Sequence, residues 1–335
     1  MVTVLDVAQH AGVSSATVSR VLSGRDPVAV ETRTRVLQAV AALGYRPNYM
    51  AQSLRLGRGR SVALLTGDIE QGIYSSLTKH IQAALEAIGL DLLLFNLSHR
   101  EDRMRHLLQH ATSLGLRGIL IAAPHVIAMR RLQPHIAALA GQGIPIISVG
   151  QRLDRHGIAS VVPDDAEGAA TAVRHLLARG QAPLAFLGRI KDSAIGRERY
   201  RGYRQALDEH GMAVSAELVW EAGERYRSEA GYASTAAALA RGIRARGVLA
   251  ASDELALGGM AAAHDHGLKV PGDIAFIGFG GLQWTQHVRP SLSSVSLDLP
   301  AIGVAVADMF QGLDQGRALA PLTVIPSRFV ARQSG

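Results

Sequence analysis

From Ser61 onward, short apolar runs alternate with stretches whose apolar residues recur every three to four positions. The runs Val62–Leu65, Leu92–Phe95, Ile119–Ile121 and Ile146–Val149 read as buried strands. Between them, Tyr74–Ile88, Arg100–Leu114 and Met129–Ala140 read as amphipathic helices. A second set follows, with strands near Ser160–Val162, Leu184–Leu187, Leu218–Trp220, Gly247–Ala250 and Ile274–Ile277. Its helices lie near Ala166–Ala178, Arg197–His210, Ser228–Arg241 and Glu254–His266. A strand at Leu292–Leu297, a helix near Ala301–Gly312 and a strand near Thr323–Ile325 come last. Strict strand–helix alternation predicts parallel sheets covered on both faces, an α/β fold of two Rossmann-like lobes with a cleft between them.

The first 60 residues are different. Thr3 and Asp6 stand at capping-box spacing, so a short helix can start at Val4. Leu5, Ala8, Val18 and Leu22 are apolar positions that two short helices can share. Gly12 suits a left-handed turn ending the first helix, and Ser14 caps a second from Ser15 to about Leu22. A third helix is expected from about Val30 to Leu43, burying Val36, Leu37, Val40 and Leu43, with Gly44 as its cap. Two short helices about a tight Gly turn make either an ordinary helical hairpin or the helix-turn-helix of a DNA reader.

Charge favours the reader. The face made by Ser14, Ser15, Thr17, Ser19 and Arg20 is small, hydroxylated and basic, with no acid in it. The net charge of the whole chain is +7, and the first 60 residues, with eight Arg against Asp6, Asp26 and Glu31, carry most of it. Positive charge is concentrated where a phosphate backbone needs it.

Asp6-Val7-Ala8, Ala11-Gly12-Val13-Ser14, Ala16-Thr17-Val18-Ser19-Arg20-Val21-Leu22 and Tyr45-Arg46-Pro47-Asn48 resemble the head of the lac repressor (LacI/GalR) family, and weaker similarity continues to the C-terminus. The resemblance implies a three-helix helix-turn-helix head at 1–46 and a hinge segment, with its hinge helix, at 47–60. Two lobes of the periplasmic-binding-protein type follow, 61–160 with 291–322 and 161–290 with 323–335, joined by three crossings. It also implies a ligand-regulated transcriptional repressor that binds a pseudo-palindromic operator as a homodimer. Base contacts then fall to Ser15, Ala16 and Arg20, with Arg20 able to bond guanine O6 and N7. Thr3, Thr17, Ser19, Tyr45 and Asn48 would position phosphates. Ala51 and Leu54 lie in the segment resembling the hinge helix, which enters the minor groove and wedges open a base step. Read from its own Pro and Gly content, 47–60 is a linker that folds only on DNA, which lets a distant ligand control binding. The family usually has Ser where Ala29 stands, so the third helix lacks an N-cap worth roughly 1 kcal/mol.

In open α/β sheets ligands sit beyond the carboxyl ends of the strands. Ser252-Asp253 and Phe279-Gly280-Gly281 stand at such ends, Tyr74 follows the first strand, and Arg197, Arg199 and Tyr226 start helices. Arg199 and Ser252-Asp253 match family residues that bond effector hydroxyls or carboxylates. A surface salt bridge is the alternative for Arg199, an N-cap for Asp253, and hinge packing rather than ring stacking for Trp284. Most family members have Asp where Gly280 stands. A neutral, wider spot beside Arg197 and Arg199 suits a sugar acid or sugar phosphate better than a plain sugar.

Other chemistry finds no footing. There is no cysteine for disulfides or thiolate metal sites. No secretory n-region and no apolar run approaching ~18 residues are present, so a soluble cytoplasmic protein is expected. Hydrophobic content of 48% with 19% charged residues excludes a disordered chain. Gly-rich phosphate loops and nucleophile elbows are missing, and Gly278-Phe279-Gly280-Gly281 lacks dinucleotide spacing. His99/His106/His110 and His264/His266 lack a convincing ligand set. Asp164-Asp165, adjacent at a strand end, point apart rather than pairing for acid–base work, and the family resemblance implies that an Asp there caps a helix. Neither an enzyme nor a metal or cofactor is expected. The dimer would form through the helix Tyr74–Ile88, and no Leu heptads call for a tetramer. Two rivals share the fold: a regulator answering mainly to a protein co-repressor, and a solute-binding protein, which has no use for residues 1–60.

Overall fold

The computed structural model describes residues 2–23, 28–45, 59–123, 129–223 and 226–335, which divide into two units, Met1–Gly59 and Arg60–Gly335. The first holds three helices, α1 (Val4–Ala11), α2 (Ser15–Ser23) and α3 (Val30–Ala42), around fully buried Val7, Val18 and Val36. Thr3 and Asp6 form the capping box, and Gly12 ends α1 at φ +65°, where a side chain would be strained. Ala29 precedes α3 with no side-chain cap, as expected.

Two apolar assignments in this unit fail. Leu5 is 64% exposed and Leu37 47% exposed. The inward face of α1 runs through Val7, Ala8 and Ala11, which leaves Leu5 on the far side. On α3 the inward row is Val36, Ala39, Val40 and Leu43, and Leu37 lies about 100° off it.

The second unit contains two six-stranded sheets. In the first lobe these are β1 (Ser61–Thr66), β2 (Asp91–Asn96), β3 (Leu116–Ala122), β4 (Ile146–Val149) and β5 (Ala159–Pro163), joined by α4 (Gly72–Ala87), α5 (Glu101–His110) and α6 (Met129–Gly141). The second lobe begins with α7 (Asp165–Ala178), β6 (Leu184–Gly188), α8 (Ala194–Glu209) and β7 (Val219–Glu221). It continues with α9 (Ser228–Ala240), β8 (Gly247–Ala250), α10 (Asp253–Asp265), β9 (Ala275–Gly280) and β10 (Ser293–Leu297). Then α11 (Leu299–Asp314) and β11 (Leu322–Ile325) return to the first lobe, and β12 (Ser327–Val330) ends in the second.

The first sheet runs β11-β5-β4-β3-β1-β2, all parallel, and the second β12-β10-β9-β8-β6-β7, parallel except for β12 against β10. Alternation along β1 shows why both faces are covered. Val62 and Leu64 pack with α4 and α11 residues such as Ile81 and Phe310, whereas Ala63 and Leu65 pack with Leu108 and Leu132 of α5 and α6.

The lobe boundaries fall later than expected. β10 belongs to the second lobe and β11 to the first, so the crossings lie between β5 and α7, β10 and α11, and β11 and β12. Ser160–Val162, placed with the second set of strands, belongs to β5 of the first sheet. The run Leu92–Phe95, expected to be buried, is the sheet-edge strand β2, where Leu93 and Leu94 remain exposed. Among the described residues no helix is long and apolar enough to cross a membrane.

Candidate functional site

In the head, α2 is presented by caps. The Ser14 hydroxyl accepts the Thr17 backbone N–H at 3.1 Å and lies 2.9 Å from the Thr17 hydroxyl. Ala16 and Arg20, one turn apart, are exposed, and Ser15, Thr17 and Ser19 are half-buried. Thr3 is engaged within the head: its N–H and hydroxyl both donate to Asp6 Oδ2, at 2.7 and 2.8 Å. Those two bonds hold the Asp6 carboxyl below the usual carboxylate range, so it stays charged. Tyr45 packs against the head core and donates its backbone N–H to Val40 O. Asn48, Ala51 and Leu54 lie outside the described residues.

The cleft gathers six of the eight residues expected there. Tyr74, Arg199, Tyr226, Ser252, Asp253 and Gly280 line one cavity of about 80 Å³ between the lobes. Ser252 is the N-cap of α10 and accepts the Leu255 N–H at 3.1 Å, which leaves Asp253 as the first helical residue rather than the cap. Asp253 Oδ2 accepts the Leu282 N–H at 2.8 Å, and Oδ1 accepts the Ser294 hydroxyl at 2.5 Å. The Tyr226 hydroxyl lies 2.7 Å from that of Ser193, which caps α8 through Gly196 N–H.

Arg199 is buried and bonded on two of its nitrogens. Its Nε donates to Asp165 Oδ1 at 2.9 Å, a terminal nitrogen donates to Ala251 O at 2.6 Å, and the guanidinium lies 3.8 Å from the centre of the Phe279 ring. Asp164, not Asp165, caps α7 by accepting Glu167 N–H. Burial pushes the carboxyls of Asp165, Asp253 and Glu254 up, with Arg199 pulling the first two back down. The same burial raises the phenols of Tyr74 and Tyr226, which stay protonated.

Three expectations need correction. Arg197 is exposed and donates to the Lys191 carbonyl at 3.2 Å, pointing away from the cavity. Trp284 is half-buried against the second-lobe core, in the packing role. The cationic spot beside Gly280 is neutralised, because Arg199 is paired with Asp165. Gly280 itself sits at φ +136°, and a Cβ there would stand 3.2 Å from Asp253 Oδ2, so an acid at this position would face another carboxylate.

Several wall residues had no chemical signal in the sequence. Ile73, Leu77, Val149, Ile195 and Ile302 make the lining mostly aliphatic, and Gln71 adds a buried amide. Among the described residues, Glu254 and Arg227 make polar contacts across the lobes. Glu254 Oε1 accepts Gly72 N–H at the start of α4 (2.9 Å), and Arg227, beside α9, pairs with Asp68 at 3.1 Å and with Glu70. A benzene-sized void is ~150 Å³, so a ring can enter only if the lobes part.

Residues 3–48 match the family described as bacterial regulatory proteins, lacI family, and residues 173–335 match the periplasmic binding protein-like domain. The HTH-type transcriptional regulator AscG of Escherichia coli (strain K12) is 32% identical over 336 residues, covering 100% of this chain and 98% of that protein. Catabolite control protein A of Priestia megaterium is 30% identical over 335 residues, covering 99% of each. The lac repressor dimer bound to operator and the anti-inducer ONPF superposes with a TM-score of 0.84 at 26% identity, covering 99% of this chain and 98% of that one. These relatives are regulators, not enzymes. With its helix-turn-helix head and its two-lobed core, this chain belongs to the LacI family of DNA-binding transcriptional regulators.

Proposed function

We propose that the chain binds a pseudo-palindromic operator as a homodimer, as a repressor, and that a sugar-like small molecule in the inter-lobe cleft controls that binding. The observation that carries this reading is the cavity bounded by both lobes, with Tyr74 from one and Arg199 and Tyr226 from the other. A ligand that binds one lobe arrangement better than another shifts the population toward it. Coupling of ~1–3 kcal/mol between cleft and DNA is enough for a 5–150-fold switch.

On DNA, Arg20 reads a base edge from α2, with Ser15 and Ala16 beside it, and Thr17 and Ser19 meet phosphates. Tyr45 and Asn48 do the same beyond α3, and Ala51 and Leu54 act in the minor groove. Thr3 contributes as a cap first. The relative crystallised with operator is a dimer, which supports the same state here. The exposed edge residues Leu93 and Leu94 supply apolar surface for it, beside the largely polar outer face of α4. A transport protein of the same two-lobed form has no use for residues 3–48.

Selection of duplexes from a random library by the full-length protein tests the reading, followed by titration of the selected duplex and sedimentation of the complex. A dyad-symmetric consensus bound by two chains supports it. An asymmetric site bound by one chain, or no consensus, refutes it.

A further inference from the structure

We propose that the effector is an uncharged molecule with an apolar face, and that the cleft discriminates against carboxylates and phosphates. This rests on the cleft being the effector site and says which chemistry it accepts.

Charge is the first argument. The cation in the lining is Arg199, and its charge is already balanced by Asp165, with Ala251 O and the Phe279 ring occupying further faces. Asp253 and Glu254 add carboxyl groups to the same wall. The other nearby guanidiniums are held elsewhere: Arg227 by Asp68 and Glu70, Arg189 by Asp192, and Arg197 at the Lys191 carbonyl. An anion entering this site gives up its water and meets a guanidinium already bonded to Asp165, in surroundings that screen poorly.

The walls are the second argument. Ile73, Leu77, Val149, Ile195, Leu299 and Ile302 offer aliphatic surface from both lobes, and burial of apolar ligand area against them is the main source of affinity.

The third is what stays open among polar atoms. Gln71 Nε2 is buried without a hydrogen-bond partner among the described residues, and the buried Tyr74 side chain lines the same cavity. Both can donate to a neutral oxygen such as a hydroxyl, ether or carbonyl. A neutral oxygen on an apolar ring satisfies this end of the cavity without adding charge.

The test is calorimetry on the full-length protein with matched probes, each neutral ring compound beside its anionic counterpart: phenyl glucoside with phenyl glucuronide, and adenosine with adenosine 5′-monophosphate. In any pair that binds, the neutral member is expected to bind at least tenfold tighter. Ile195→Trp, and independently Leu77→Phe, should abolish binding by filling the cavity. Asp165→Asn, which leaves Arg199 unbalanced, should narrow the gap at least tenfold. Anionic members binding as tightly as neutral ones, with binding still lost on cavity filling, would overturn the inference while the cleft reading stands. Binding untouched by both cavity-filling variants, or no binding by any probe, would remove the cleft reading and the inference with it.

Discussion

Arg199 on α8, which lines the inter-lobe cavity, and Asp165 at the start of α7 form a buried ion pair, Nε to Oδ1 at 2.9 Å. The pair ties two packed helices together and decides the electrostatics of the site. Removing one partner strands the other charge away from water. Asp165→Ala should therefore cost about 3–5 kcal/mol in urea unfolding, and Arg199→Met combined with Asp165→Leu clearly less. Equal losses for the single and double variants would show that the two side chains do not act as a pair.

The pH dependence of the core follows from burial. Asp165, Asp253 and Glu254 hold protons more tightly in the folded protein than in the unfolded chain. Their contribution to stability is thus fully present below the ordinary carboxylate range and is lost as pH rises through their folded values. Urea midpoints of the wild type should fall as pH rises above the ordinary carboxylate range, and more than those of Glu254→Gln. Parallel profiles would contradict this.

Asp6 has the opposite sign. Its lowered pKa gives the head stability that is present above the unfolded value and lost as pH falls through the folded one. Thr3→Ala removes the capping box and should cost about 1 kcal/mol. Faster amide exchange across Val4–Ala11 in the variant, with a weaker acid dependence, is the expected outcome.

Glu254 holds the lobes together through Gly72 N–H. Glu254→Ala should shift the balance toward parted lobes by about 1.5–3 kcal/mol, the value of a hydrogen bond to a charged group. Small-angle scattering should report a larger radius of gyration and calorimetry a tighter fit for ring-bearing probes. An unchanged radius and affinity would mean that this contact does not restrain the cleft.

Much of this was legible in the chain. Caps at Thr3, Ser14 and Gly12 and the period of the apolar residues placed the three head helices, because those signals act over one or two turns. Alternating runs placed all but the last strand, whereas β12 is short and half-exposed and depends on pairing with β10. Hydrophobicity could not reveal that Leu93 and Leu94 lie on an edge, since edge and centre differ only in tertiary neighbours. Arg199 was legible as a cleft residue, but its partner is 34 positions away, and Glu254 meets Gly72 across 182 positions. Such pairings are set by how the sheets and helices assemble. Reading Arg199 without Asp165 gave the site a positive charge that the fold cancels.

The central claim is sequence-specific DNA binding through α2, and fluorescence anisotropy at fixed low salt tests it most directly. Wild-type and Arg20→Ala proteins are titrated with the selected dyad-symmetric duplex and with a scrambled duplex of the same length. The account predicts that the wild type prefers the dyad by ~10³-fold or more, and that Arg20→Ala loses about 1–3 kcal/mol on the dyad with little change on the scrambled duplex. Equal affinity of the wild type for both duplexes, or an equal loss on both in Arg20→Ala, would contradict it.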